Sequence, residues 1–154
     1  MKRALLLLII IFSILGVADA SYITWEKFQG TIPVCHPPFD CGGVLSSTWS
    51  SVGPIPLSAI GIAFYLSFFT LAVLVFLEKT EVVLNKVKLN LSKVLGVWSL
   101  VGAVFSLYLL SIMGLVLHAW CLYCLLSAIN CFILLLLTGF YYKLYTSEEK
   151  ELSL

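Results

Sequence analysis

The residues in this chain best suited to chemistry are its cysteines. Of the five, Cys35/Cys41 and Cys121/Cys124 form two spaced pairs and Cys131 stands alone. The second pair lies in Trp120-Cys121-Leu122-Tyr123-Cys124, the only polar break between two long apolar runs, residues 94–117 and 125–140. Thiols three apart at the start of a helix share one face and are close enough to close a small disulfide ring. The first would sit near the positive end of the helix dipole, which favours the thiolate, the nucleophile of disulfide exchange. The same spacing also suits a zinc half-site or a static bridge, so the motif alone leaves redox and structural chemistry open.

The elements that must position these thiols are membrane spans. Of 154 residues, 61% are hydrophobic and 11% charged, with a mean hydropathy of +1.07, a composition of integral membrane proteins. The net charge is +1, and no basic stripe is present, which argues against a nucleic-acid partner. Residues 94–140 would be roughly 70 Å long as one helix. The hydrocarbon layer is about 30 Å thick, so the chain must turn back, and His118-Ala119-Trp120 is the place. The expected architecture is therefore an all-α, four-transmembrane-helix bundle forming one domain over 1–154. Its spans are expected at about 4–20, 56–77, 94–117 and 121–142. A polar, Gly- and Pro-rich outer loop over 21–55 carries Cys35 and Cys41, with a short interfacial helix over 44–49. Met1-Lys2-Arg3, the following apolar run and Ala18-Asp19-Ala20 also fit a cleavable signal peptide. Either outcome leaves Ser21 on the same side.

Basic residues orient the bundle. Lys2, Arg3, Lys79, Lys86, Lys88, Lys93, Lys143 and Lys150 fall on one side of the four-span arrangement and only Lys27 on the other. The positive-inside rule makes the first side cytoplasmic. The loop pair and the Cys-x-x-Cys turn then share the extracytoplasmic compartment, where disulfides persist. The expected localisation is the cell membrane, multi-pass, with the active site outside.

The joint pattern of a first span, a loop Cys pair, Val44-Leu45-Ser46-Ser47-Thr48-Trp49, a second span with Gly61 and Phe64-Tyr65, and Cys121-x-x-Cys124 opening the fourth resembles the vitamin K epoxide reductase family. It is closest to the prokaryotic branch, with its five-residue loop spacing. The resemblance covers nearly the whole chain. It implies a four-helix bundle around a quinone of the ubiquinone or menaquinone type, fed with electrons by an extracytoplasmic thioredoxin-like protein. It further implies that Cys35 exchanges with that protein, Cys41 passes electrons to Cys121, and Cys124 is the thiol beside the quinone. Ser47 takes the position of a family serine near the quinone-reducing pair, and Phe64 and Tyr65 are candidate pocket residues. Where the animal enzymes carry a quinone-binding asparagine and a tyrosine, this chain has Leu57 and Ala128, which favours a respiratory quinone over vitamin K epoxide. Many prokaryotic relatives carry a fused thioredoxin-like domain; here a separate protein is expected.

Three residues have bland readings as well. His36 and His118 could support neighbouring thiolates or be solvated loop and interfacial histidines, and Cys131 reads as a buried, inert small residue. Two rival classes stand beside the redox reading: a zinc site drawn from Cys35, His36, Cys41, His118, Cys121 and Cys124, and a scaffold stapled by static disulfides. No resident metal is expected under the redox reading.

Overall fold

The computed structural model describes residues 2–77, 81–84 and 87–152. Among them, four helices are long and apolar enough to cross a membrane. They are α1 (Lys2–Gln29), α3 (Leu57–Phe76), α4 (Leu91–Ile112), which continues as a π-helical turn Met113–Leu117, and α5 (Leu122–Leu152). Between α1 and α3 lie the short α2 (Cys41–Leu45), a 3-10 turn at Thr48–Ser50 and an antiparallel pair, β1 (Ser51–Val52) with β2 (Ile55–Pro56). Between α3 and α4, β3 (Glu81–Leu84) pairs with β4 (Val87–Asn90). Lys79 and Lys86, two of the orienting cations, lie outside the described residues.

The four-span expectation holds. The first helix continues nine residues past Ala20, to Gln29, and the last continues past Tyr142 to Leu152. Hydropathy ends at the membrane surface; the helix ends where the backbone is told to stop. That signal is Gly30, at φ +69°. Its N–H bonds the Lys27 carbonyl at 3.3 Å, and the Thr31 N–H bonds the Glu26 carbonyl at 3.0 Å. This is a glycine-terminated helix cap that satisfies the last orphan carbonyls.

Packing between the helices relies on small residues, as it must where lipid and side chains are equally apolar. Gly16 on α1 lets the Tyr65 ring of α3 lie directly on its backbone, and a Cβ there would collide with the ring. Gly102 on α4 does the same for Phe64. The buried hydroxyls of Ser13 and Thr138 are satisfied within their own helices, Ser13 donating to the Ile9 carbonyl and Thr138 to that of Leu134, each at 2.7 Å. Between helices, the Asn130 amide donates to the Phe12 carbonyl at 3.0 Å. The core at the β3–β4 end, the hairpin end, seals Ile9, Phe68, Ala72, Leu95 and Leu134 almost completely.

Candidate redox site

At the opposite end, the sequence of the α4–α5 turn builds the cysteine motif. The π turn ends at His118, whose φ is +48° and whose Nδ1 lies 3.0 Å from the Gly114 carbonyl oxygen. The chain reverses there, as the sequence requires. Cys121 takes the N-cap position of α5. Its carbonyl accepts the Leu125 N–H at 3.0 Å, and its sulfur accepts the Cys124 N–H at 3.3 Å, the role an N-cap hydroxyl usually plays. The Cys124 thiol also donates to the Cys121 sulfur at 2.7 Å. Cys121 lies just outside the fourth span. Its thiol is held below its ordinary pKa, first by the Cys124 thiol and then by the N–H groups at the helix start, against the opposing effect of burial.

The loop pair is joined. Cys35 and Cys41 form a disulfide with Cα atoms 6.0 Å apart, within the ordinary range. Asp40 caps α2 by accepting the Gly43 N–H at 2.8 Å. The Asp40 N–H donates to the Trp120 carbonyl at 2.9 Å, tying the loop to the Cys-x-x-Cys turn. Cys41, Val44, Met113 and Cys121 form one buried cluster, with Cys41 1% and Cys121 0% exposed. The loop pair thus packs against the Cys-x-x-Cys turn through Cys41. Cys35 and Cys124 flank this cluster and are only partly buried.

Beside the cluster, α1, α3, α4, α5 and the loop line an open cavity of about 550 Å³. Cys124, Ser47, Phe64 and Tyr65 all line it, whereas Cys35, Cys41 and Cys121 do not. Leu57 and Ala128 are in its wall too, so both departures from the animal pattern face the same space. Ser47 donates to the Val44 carbonyl at 2.7 Å. Phe64 stacks on Trp98 with centroids 5.9 Å apart. The Tyr65 hydroxyl is 3.0 Å from the Ser127 carbonyl, 2.9 Å from the Ser127 hydroxyl and 3.2 Å from the Cys131 sulfur.

The model describing the vitamin K epoxide reductase family matches residues 7–139. The chain belongs to that family. A search of curated proteins found no match. Membership in the vitamin K epoxide reductase family makes the chain a membrane oxidoreductase, and its disulfide-bonded Cys pair agrees with that chemistry. The Cys35 and Cys41 sulfurs are bonded to one another, and among the described residues no three His, Cys, Asp or Glu side chains gather. His36 and His118 are exposed.

Three residues of the cavity wall were not among the candidate site residues. Cys131, buried as expected, lines the cavity with its sulfur 3.2 Å from the Tyr65 hydroxyl. Lys27 lines it as well, its ammonium donating to the Ser50 hydroxyl at 2.7 Å and the Leu45 carbonyl at 3.4 Å. Asp19 is in the wall contributed by α1. A carboxylate inside an apolar run was visible as an anomaly, but it was absorbed by the signal-peptide pattern.

Proposed function

We propose that this chain is a quinone-dependent, disulfide-generating oxidoreductase of the cell membrane. It takes electrons from a separate extracytoplasmic thioredoxin-like protein at Cys35, moves them through Cys41 to Cys121, and delivers them from Cys124 to a quinone of the ubiquinone or menaquinone type. One observation carries this reading, the graded burial of the four sulfurs. Cys35 is partly open, Cys41 and Cys121 are sealed together, and Cys124 opens on the cavity.

The exchange runs by attack of a thiolate on a disulfide sulfur. A thiolate of the partner attacks Cys35, breaking the loop bond and releasing Cys41; a second partner thiolate then displaces Cys35 and leaves the partner oxidised. Cys41 attacks Cys121 of the oxidised membrane pair, releasing Cys124, and Cys35 resolves the Cys41–Cys121 bridge. Both membrane thiols are now reduced and the loop bond is restored, which is the arrangement found here. Cys121 and Cys124 then close their own bond as two electrons and two protons pass to the quinone. The low pKa of Cys121 suits a sulfur that must serve as a good leaving group when Cys41 is regenerated.

Lys2, Arg3, Lys93 and Lys143 sit at the hairpin end and Lys27 at the cysteine end, which supports a cytoplasmic hairpin and an outward-facing site. The cavity suits a quinone ring: apolar walls, an aromatic shelf at Phe64 and Trp98, and a few polar groups including Ser47. The decisive experiment adds a short-chain ubiquinone or menaquinone anaerobically to protein with all cysteines reduced. Both pairs should close, each yielding one quinol, while Cys131 remains a thiol. If the quinone consumes no thiols, the reading is wrong.

A further inference from the structure

Reduction of a quinone needs two protons as well as two electrons, and the cavity holds one carboxyl group able to handle them. Asp19 is the only acidic residue among those lining the cavity. It lies on α1 between Gly16, which is pressed against Tyr65, and Ile23, another wall residue. Its Oδ2 is sealed from solvent and meets no protein hydrogen-bond donor. It shares the wall of this one cavity with Cys124, the membrane thiol that opens on it. A carboxyl group within a membrane span is costly to keep, and such groups mark proton and substrate pathways when they face a cavity.

The other titratable wall groups are engaged elsewhere. The Lys27 ammonium is held by the Leu45 and Ser50 carbonyls and the Ser50 hydroxyl. The Tyr65 hydroxyl is committed to Ser127 and Cys131. Cys124 donates to Cys121. Asp19 alone presents an oxygen with no partner.

We infer that Asp19 is the catalytic proton donor for reduction of the quinone in this cavity. The inference rests on the quinone reading of the preceding subsection and extends it. In the step, the S–H bonds of Cys121 and Cys124 break and their S–S bond forms. Two electrons leave sulfur for the quinone, the oxidant, whose two oxygens each gain a proton. Asp19 gives the proton to the oxygen nearest it and is recharged by the proton released from the thiols, so the carboxyl returns to its starting state.

The test compares wild type with Asp19→Asn and Asp19→Glu. Reduced protein is mixed anaerobically with a ubiquinone bearing a single isoprene unit. Quinol formation, quinone affinity (from quenching of tryptophan fluorescence) and dithiothreitol reduction of the Cys35–Cys41 bond are followed separately. Asp19→Asn should slow quinol formation at saturating quinone by on the order of 100-fold, the usual scale for loss of a general acid. Quinone affinity and loop reduction should stay near wild type, and Asp19→Glu should recover most of the rate. Wild type that forms no quinol would refute the quinone reading itself. An active wild type matched by Asp19→Asn would overturn the role of Asp19 and leave that reading standing. A defect confined to quinone affinity would make Asp19 a binding residue and equally overturn the proton transfer. Should Asp19→Asn fail to fold, Asp19→Ser, small and polar but without an acidic proton, takes its place under the same criteria.

Discussion

At the hairpin end of the bundle, Phe68, Ala72, Leu95 and Leu134 are closed off from solvent almost entirely; at the cysteine end, the same helices stand around a cavity of about 550 Å³. The two ends draw on equally apolar stretches of the same spans. In a bilayer hydrophobicity drives insertion but not association between helices, so packing and internal hydrogen bonds decide which half closes. The closed half uses small against large residues. The open half is propped by groups that resist collapse. Tyr65 is wedged against Gly16 and anchored by Ser127 and Cys131, Phe64 rests on Gly102 and Trp98, and the loop is pinned by Asp40 to Trp120. The hollow is therefore a built feature of the bundle, and of the four paired cysteines only Cys124 lines it.

The largest effect should come from removing the Cys124 sulfur. Cys124→Ala should drop quinone reduction to the uncatalysed background while the Cys35–Cys41 bond still exchanges with small thiols. Rapid quinol assays beside thiol labelling of the loop pair would show it. A variant that keeps turning over would detach the cavity from the chemistry and break the contrast between the two ends.

The next effect sharpens the contrast in stability. Phe68→Ala should cost about 3–5 kcal/mol, because it opens a void in a filled core. Phe64→Ala, one turn away, only widens a space that exists already. It should cost less than Phe68→Ala, about 0.5–1.5 kcal/mol for the lost aromatic contacts on top of a smaller burial loss, and should raise the KM for quinone. Denaturant titration in detergent, paired with quinol kinetics, separates the two. Equal losses of stability would mean that the cavity is as tightly coupled to folding as the core.

How much of this was legible beforehand follows the physics of each feature. The four spans and the turn at His118 were readable because hydrocarbon thickness limits helix length. The thiol pairs were readable because chemistry restricts their spacing. The end of α1 was not legible because hydropathy reports where the membrane ends, whereas Gly30 and its two backbone hydrogen bonds report where the helix ends. The cavity was legible only through the family resemblance, which named Ser47, Phe64 and Tyr65; residue types alone could not give it. Whether Ala128, Leu57 and Gly102 face a void or a neighbour depends on relative helix rotation, and no residue's type encodes it. Asp19 fell between these cases. Its identity signalled a buried carboxyl, but only its position in the cavity wall separates that meaning from a cleavage motif.

The smallest effect concerns Cys131, which shares the cavity wall with Cys124 but lies about two helical turns further along α5. It is an unpaired thiol, buried to 7% exposure. Its visible contact is the Tyr65 hydroxyl, 3.2 Å from the sulfur. Replacing it with alanine removes that contact, yet Tyr65 keeps the Ser127 carbonyl and hydroxyl as partners and the ring stays wedged on Gly16. No buried group is left unsatisfied, so the cost should be near the value of a single hydrogen bond, about 0.5–1.5 kcal/mol. Quinol formation should fall only a few-fold, through slight loosening of Tyr65 in the wall. Thermal unfolding and steady-state turnover of Cys131→Ala measure both. A loss of turnover as complete as that of Cys124→Ala would mean that the unpaired thiol takes part in electron transfer, and that the redox face of the cavity is wider than one sulfur.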